Sequence, residues 1–296
     1  MTRTDNDSWD ITESVGATAL GVAWARAQEA ASGCPLFTDP FAEVFIEAAM
    51  ARGWQLPQRH VAERIRSIAG YAASRTKWFD EFFMAAGAGG IAQAVILAAG
   101  LDARAWRLPW NDGSVVYEID QPRVLAFKTE TLKAHGVDPA TRYVAVPVDL
   151  RQDWPKVLRD AGFDPAEPTA WAAEGLLPYL PAEGQDLLFE RIADLSARDS
   201  RVGIEAFGAG FFDPEYLARR RELMRQAREE AGETDDTPDV ADLWYVEDRT
   251  EVTDWFADHG WSVSAIDAAD LMARYNRSAD DDTTPRTVFV EARLTS

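Results

Sequence analysis

The chain has a single cysteine, Cys34, among its 296 residues. One cysteine cannot form an internal disulfide, and it is compatible with a reducing compartment. The chain also lacks an uncharged apolar run close to the roughly 20 residues that span a bilayer. Its polar first residues do not have the pattern of a signal peptide. These absences predict a soluble cytoplasmic protein without a membrane-embedded segment.

Basic charge is also scarce, since 30 basic residues face 50 acidic ones and give a formal net charge of −20. Nucleic-acid binding uses clustered Lys and Arg against phosphates, so this balance argues against a nucleic-acid partner. The three histidines, His60, His135 and His259, lie far apart and lack the spacing of metal ligands. We therefore predict no metal site. His135 and His259 each precede a glycine, which favours a structural place at a helix C-terminus.

The loop after the first predicted strand is poor in glycine. The apolar run near 92–98 is typical of a strand buried on both faces, and Gly100 allows a tight turn behind it. A dinucleotide loop needs G-x-G-x-x-G because its backbone approaches a pyrophosphate. Here the corresponding residues are Ala98, Gly100 and Ala103, so two glycines are missing. A ligand without phosphate, such as S-adenosylmethionine, makes no such demand, although a plain structural turn explains the loop equally well.

Acidic residues end the next two predicted strands. Asp120 closes a strand twenty positions beyond Gly100, where an acid in a doubly wound sheet holds a ribose diol. Asp149 ends a third strand and is placed to meet an adenine amino group. The glycine turn and the two acids together predict an adenosine-like ligand.

Strands and helices alternate from residue 91 onward, which is typical of a mainly parallel sheet with helices on both faces. We therefore predict an α/β fold with a doubly wound seven-stranded sheet. The strands are expected near 92–98, 114–119, 142–148, 169–174, 201–206, 261–266 and 286–294, with helices near 123–134, 153–161 and 182–197.

Residues 1–86 are predicted to form a helical N-terminal cap on a core of residues 87–296. The run Thr38-Asp39-Pro40 predicts a helix start, because Asp caps helices and Pro favours the first helical position. A later helix is expected near 60–86, with its aromatic residues in the core. The segment at about 211–258 breaks the alternation, and we predict that it is an insertion on the substrate side.

The order and spacing of five segments resemble the leucine carboxyl methyltransferase family, and more narrowly its bacterial branch of S-adenosyl-L-methionine-dependent methyltransferases. The resemblance runs from about residue 7 to the C-terminus. It implies the Rossmann-like class I methyltransferase fold, whose last strand is antiparallel, and S-adenosyl-L-methionine as cofactor. The segments are Ser74–Asp80, Ala99–Arg104, Glu118-Ile119-Asp120, Asp149-Leu150 and Glu174–Leu180.

The resemblance also implies which residues bind the adenosine part of the cofactor. Asp120 would bind the ribose hydroxyls, and Asp149 and Leu150 would bind the adenine. Gly100 would lie beneath the methionine moiety.

At the methionine end, the resemblance places Glu174 on the methionine side and Arg75 on the cofactor carboxylate. Without the resemblance, an arginine on an amphipathic helix is usually a solvated side chain. Asp120, Asp149 and Glu174, however, supply no cation for that carboxylate, and a guanidinium can bind it through two parallel hydrogen bonds. We expect Arg75 to close the N-terminal cap onto the bound cofactor.

The sequence shows no evident catalytic base. Displacement at a sulfonium methyl group mainly needs alignment and exclusion of water, and a carboxylate acceptor is already ionised near neutral pH. A hydroxyl or amine acceptor would need a base. We therefore expect O-methylation of a carboxylate on a small molecule or peptide, although an Asp, Glu or Tyr in the cap could serve a hydroxyl.

Two other classes of protein stay open. A non-catalytic S-adenosylmethionine-binding regulator would carry the same cofactor residues. A nicotinamide-dependent oxidoreductase would share the fold, but the missing glycines of the loop argue against it.

Overall fold

The computed structural model describes residues 14–55, 68–208, 210–230, 244–279 and 284–295. Seven strands lie in these ranges and form one sheet. They are β1 (Gln93–Leu97), β2 (Val115–Asp120), β3 (Arg142–Pro147), β4 (Thr169–Ala173), β5 (Arg201–Phe207), β6 (Trp261–Asp267) and β7 (Thr287–Leu294).

The strand order is β3-β2-β1-β4-β5-β7-β6. The first five strands pair in parallel, whereas β7 is antiparallel to both β5 and β6. Every residue of β1 and of β4 is buried, as expected for central strands covered by helices on both faces. The predicted doubly wound seven-stranded fold is confirmed, and the antiparallel last strand with it.

The helices of the described ranges include the three that were expected between strands, here α5, α6 and α7. The full set is α1 (Ser14–Ala30), α2 (Ala42–Ala51), α3 (Ala69–Ala88), α4 (Arg104–Arg107), α5 (Pro122–Ala134), α6 (Trp154–Asp160), α7 (Ala182–Asp194), α8 (Pro214–Glu230), α9 (Val252–Asp258) and α10 (Ala268–Arg274). None of the helices in the described ranges is both long enough and apolar enough to cross a bilayer.

Two apolar cores flank the sheet. Side chains alternate between its faces, so Ile96 points to one core and Val95 to the other. The first core is completed by α1, α2, α3, α5 and α10, and the second by α6, α7 and α9. The aromatic residues of α3 lie in the first core, as predicted; they are Trp78, Phe79, Phe82 and Phe83.

The start of α2 differs from its prediction. The helix begins at Ala42, two residues after Pro40. Asp39 does accept a hydrogen bond from the backbone N–H of Phe41 at 3.1 Å, but its other carboxylate oxygen lies 3.3 Å from Arg26 Nε. Asp39 thus lies before the helix and contacts both Phe41 and Arg26, and no side-chain hydrogen bond caps the helix at Phe41.

Parts of the other predicted segments lie outside the described residues. Helix α3 begins at Ala69, so the first part of the helix expected near 60–86 falls outside them. The 211–258 segment contains α8 and α9, and its residues 231–243 are likewise outside. His135 and His259 are the C-caps of α5 and α9, where each imidazole contacts a helix carbonyl.

Candidate cofactor site

A cavity of about 290 Å³ opens at the carboxyl ends of β1 to β4. Ligands of doubly wound sheets bind at this edge, where the strand order reverses. Helix α1 and the loop after β4 contribute to its wall. All six residues predicted to bind cofactor line this one cavity: Arg75, Gly100, Asp120, Asp149, Leu150 and Glu174.

The loop after β1 forms the floor of the cavity. Gly100 has a φ of 50°, and its N–H donates to Asp120 Oδ2 at 2.6 Å. A Cβ at this position would lie 3.4 Å from the Cβ of Ala19 in α1. Glycine is favoured here because the backbone is left-handed, a conformation that strains other L-residues. Ala98 has a φ of 51°, so the position of the first missing glycine keeps the left-handed conformation of a glycine.

Asp120 is fixed by the backbone on both carboxylate oxygens. Oδ2 accepts from Gly100, and Oδ1 accepts from the N–H of Gln121 at 2.6 Å. Burial raises the pKa of Asp120 above its ordinary value, against the opposing effect of these two N–H groups. Each carboxylate oxygen has two acceptor sites, so both can still accept a hydroxyl from a ligand.

Asp149 is held by two side chains that sequence analysis did not identify. Gln121 Nε2 donates to its Oδ2 at 2.5 Å, and Arg151 Nη2 donates to the same oxygen at 2.6 Å. Burial favours the neutral acid, but the hydrogen bonds from Arg151 and Gln121 outweigh it and lower the pKa of Asp149. The side chain at this end of the cavity is therefore a well-bonded carboxylate.

Arg75 lies between two acids at the opposite end of the site. Its Nη1 is 3.2 Å from Glu205 Oε2, and its Nε is 3.1 Å from Glu174 Oε1. Burial acts to lower the pKa of Arg75. The carboxylates of Glu205 and Glu174 raise it by more, so the pKa stays above its ordinary value. The Arg75 side chain is only 14% exposed, so the alternative of a solvated arginine is wrong.

The Nε of Arg75 is buried and has no hydrogen-bond partner among the described residues, because its contact with Glu174 lacks hydrogen-bond geometry. This nitrogen is therefore already paired with a carboxylate, and its burial keeps it away from a ligand in the cavity.

We expected the site to hold no basic side chain other than Arg75, and this expectation is wrong. Arg26 of α1 lines the wall and donates from Nη2 to the carbonyl of Leu101 at 2.6 Å, and Arg151 lines it as well. These side chains come from distant parts of the sequence, and no local motif marks them. The sequence indicates at most an arginine in an amphipathic helix, and this pattern is too common to identify a site.

Tyr71 is a second buried residue that contacts Glu205, in addition to Arg75. Tyr71 donates from its hydroxyl to Glu205 Oε1 and lies 2.9 Å from Thr287 Oγ1. Burial and the neighbouring Glu205 raise the pKa of Tyr71 well above its ordinary value. The phenol therefore stays protonated and keeps Glu205 facing Arg75.

The described residues that line the cavity include Asp, Glu, Arg and Tyr but no His, Cys or Lys. Within the described ranges, no group of three His, Cys, Asp or Glu residues is arranged to hold a metal ion. The polar groups that the wall does offer are suited to hydrogen bonding and ion pairing with an organic ligand.

The strand order, the antiparallel β7 and a cavity beside an acid at the end of β2 define a class I methyltransferase fold. The chain belongs to the leucine carboxyl methyltransferase family, whose model matches residues 19–193. The family predicted from the sequence motifs is thereby confirmed.

Relatives with high identity cover the whole length. A protein of Mycolicibacterium paratuberculosis named "Putative S-adenosyl-L-methionine-dependent methyltransferase" is 53% identical and covers 99% of each chain. One with the same name from Mycobacterium tuberculosis is 51% identical, again over 99% of both chains. The predicted methyltransferase class and the cofactor S-adenosyl-L-methionine agree with these relatives.

Solved structures share the fold at low identity. A DUF574 family protein from Streptomyces avermitilis is 15% identical with a TM-score of 0.53, and covers 93% of this chain and 96% of its own. A protein from Thermobifida fusca titled "putative methyltransferase" is 20% identical with a TM-score of 0.50, over 92% and 94%. At this identity the similarity concerns the fold alone.

Proposed function

We propose that the protein transfers the methyl group of S-adenosyl-L-methionine to a carboxylate oxygen of a small molecule or peptide. The proposal rests on the cavity wall, which brings all six predicted cofactor residues together and, among the described residues, includes no His, Cys or Lys. Such a wall can bind and align two ligands, which is all that an ionised carboxylate acceptor requires, whereas a neutral nucleophile would also need an Asp, Glu or Tyr side chain of the wall as its base.

In this proposal, the adenosine part lies between the ends of β2 and β3. Asp120 accepts the ribose hydroxyls with the lone pairs that its backbone donors leave unused. Asp149 accepts the adenine amino group, and Leu150 packs against the ring. Arg151 and Gln121 orient Asp149 from the side.

The methionine part lies toward α3 and the end of β4. Arg75, which lines the cavity, binds its carboxylate through the guanidinium. Glu174 takes the α-amino group, and Gly100 lets the chain pass beneath the methionine moiety. The two ends of the cavity thus carry complementary groups for the two ends of one cofactor.

The loop after β1 supports this choice over a dinucleotide. The Cβ atoms of Ala98 and Ala103 occupy the positions where the pyrophosphate pattern has glycine, and Ala103 is fully buried. A ligand without phosphates does not need the loop backbone to come as close as a pyrophosphate does.

When bound, S-adenosyl-L-methionine supplies a methyl group activated by its sulfonium. The acceptor oxygen forms a bond to the methyl carbon while the carbon–sulfur bond breaks and its electron pair stays on sulfur. An ionised carboxylate becomes a neutral ester in this step, so no proton has to be removed. The residues of the cavity contribute by orienting the two reactants and excluding water.

Two segments are proposed to cover the acceptor. Helix α1 lines the cavity through Thr18, Ala19 and Val22. The residues before α9 contact the loop after β4, where Tyr245 N–H donates to the Pro178 carbonyl at 2.9 Å and Arg249 donates to that of Leu177 at 3.1 Å. We propose that residues 1–86 and 211–258 form the cap over the substrate. The single cysteine is compatible with the cytoplasmic location predicted from the sequence.

Product analysis tests the proposed reaction. The purified protein is incubated with methyl-labelled S-adenosyl-L-methionine and a library of carboxylic acids, together with alcohols and amines of matched shape. We expect label in the carboxylic acids, released as methanol by mild base because the product is an ester. Label that withstands base, as in an N-methyl or C-methyl product, contradicts the proposal. Cofactor binding without transfer to any acceptor favours the non-catalytic regulator.

A further inference from the structure

Arg104 is a buried arginine that joins Glu174, at the cavity wall, to two other parts of the fold. Its side chain is fully buried. Nε donates to Asp80 Oδ1 at 2.7 Å, and Nη1 donates to Glu174 Oε2 at 2.8 Å. Nη1 also pairs with Asp102, and Nη2 donates to the carbonyl of Thr76 at 3.1 Å. One side chain thus links α3, the loop after β1 and the end of β4.

Only an arginine can make this set of contacts. Its planar fork directs donors along several fixed directions, whereas a lysine has one nitrogen at the end of a flexible chain. Burial lowers the pKa of Arg104, but Asp102, Glu174 and Asp80 raise it well above its ordinary value. The guanidinium therefore stays charged, and its geometry is set by three carboxylates.

The contact with Arg104 fixes how Glu174 faces the cavity. Oε2 is hydrogen-bonded to Arg104 on the buried side, whereas Oε1 lies 3.1 Å from Arg75 Nε without hydrogen-bond geometry. The bond to Arg104 is thus the well-formed one of the two. Without it, Glu174 is free to turn toward Arg75 and to neutralise that side chain.

We propose that Arg104 is a positioning residue for the cofactor: it holds Glu174 in the orientation that receives the α-amino group. Arg104 thereby gives the site its preference for ligands that carry the amino-acid moiety. The inference rests on the proposed role of Glu174.

Arg107 provides a matched control on the same short helix. Its guanidinium donates to both oxygens of Asp80 at 2.6 Å, and it makes no contact with Glu174. Replacing either arginine by lysine perturbs the same carboxylate of α3. Only the change at Arg104 removes the support of Glu174.

Calorimetry with two ligands tests the inference. S-adenosylhomocysteine carries the amino-acid moiety, and 5′-methylthioadenosine lacks it. We expect Arg104→Lys to weaken S-adenosylhomocysteine binding by about tenfold to a hundredfold, the effect of losing a charged hydrogen bond, and to leave methylthioadenosine binding unchanged. Arg107→Lys should change neither affinity. Asp80→Asn, which keeps Arg104 but loosens it, serves as a second variant and should show the same selective loss.

Each other outcome overturns the inference. If Arg104→Lys binds S-adenosylhomocysteine as the wild type does, Arg104 does not position Glu174. If Arg104→Lys and Asp80→Asn lose both ligands equally, the arginine only supports the fold. If the wild type itself binds both ligands equally, the proposed role of Glu174 fails first, which separates that failure from a failure of Arg104 alone.

Discussion

Ala98 adopts the left-handed conformation that a nucleotide-binding loop usually gives to glycine, with a φ of 51°. This conformation costs an L-residue roughly 1–2 kcal/mol. Glycine avoids that cost but loses about 0.5–1 kcal/mol more entropy on folding. Alanine at this position therefore lowers the stability of the fold, and it places a methyl group at the cavity wall.

We predict that Ala98→Gly raises the free energy of unfolding by about 0.5–1 kcal/mol, measured by denaturant titration. Ala99→Gly is the control in the same loop, because Ala99 is buried and has no positive φ. That change should lower the free energy of unfolding by about 1 kcal/mol. If both substitutions destabilise the protein equally, the strain assigned to Ala98 is absent.

Arg75 is the residue whose environment differs most from a sequence-based expectation. It pairs with Glu174 and Glu205, and Tyr71 holds Glu205 in turn. A lysine could keep one of these contacts, but it could not present two parallel donors to a ligand carboxylate.

We predict that Arg75→Lys weakens cofactor affinity by about 1–3 kcal/mol. Protection of the N-terminal segment from protease by S-adenosylhomocysteine should be lost with it. Lys77→Arg, on the same helix and partly exposed, is the control and should change neither. Normal affinity and normal protection in Arg75→Lys would show that Arg75 serves neither the cofactor nor the cap.

At the scale of elements, the strands and helices of the sheet were predictable because each has a local pattern. Continuous apolar runs indicate β1 and β4, which are buried on both faces, and Gly136 and Gly162 end α5 and α6 with positive φ. The start of α2 lies two residues later than predicted, and the local sequence does not show the ion pair of Asp39 with Arg26.

The candidate site was predictable where residues follow strand ends, as Asp120 and Asp149 do. Arg26, Arg104 and Glu205 were not, because their partners lie far away in sequence: Arg104 is 70 residues from Glu174, and Tyr71 is 134 residues from Glu205. Such contacts depend on how the helices pack against the sheet.

Helix α5 packs on β2 through a buried ion pair. Lys128 Nζ lies 2.5 Å from Glu118 Oε2, and Tyr143 donates its hydroxyl to the same oxygen at 3.0 Å. The other oxygen, Oε1, is buried without a hydrogen-bond partner among the described residues. Burial raises the pKa of Glu118 to about 7, although Lys128 opposes the shift. The folded protein therefore binds this proton more tightly than the unfolded chain does.

A raised folded-state pKa stabilises the protein at low pH, and the contribution is lost as pH rises through the folded value. We predict that the free energy of unfolding of the wild type, relative to Glu118→Gln, falls as pH rises from about 5 to about 7. Urea titrations of both proteins across this range measure the difference. A difference that is constant or rises with pH contradicts the raised pKa.

At the scale of the whole molecule, one sheet brings the ends of four strands, helix α1 and helix α3 to a single cavity. Asp120 and Asp149, the acids that we propose to hold adenosine, lie at one end, and Arg75 with Glu174 lies at the other. We propose that the cavity binds S-adenosyl-L-methionine through these two sets of groups.

The most direct test is calorimetric titration of the wild type and Asp120→Ala with S-adenosylhomocysteine and with NAD. The exposed Asp112→Ala is the matched control. We expect the wild type and Asp112→Ala to bind S-adenosylhomocysteine equally and not to respond to NAD. Asp120→Ala should lose about 1.5–3 kcal/mol of binding free energy. Tight binding of NAD, or unchanged affinity for S-adenosylhomocysteine in Asp120→Ala, would contradict this proposal.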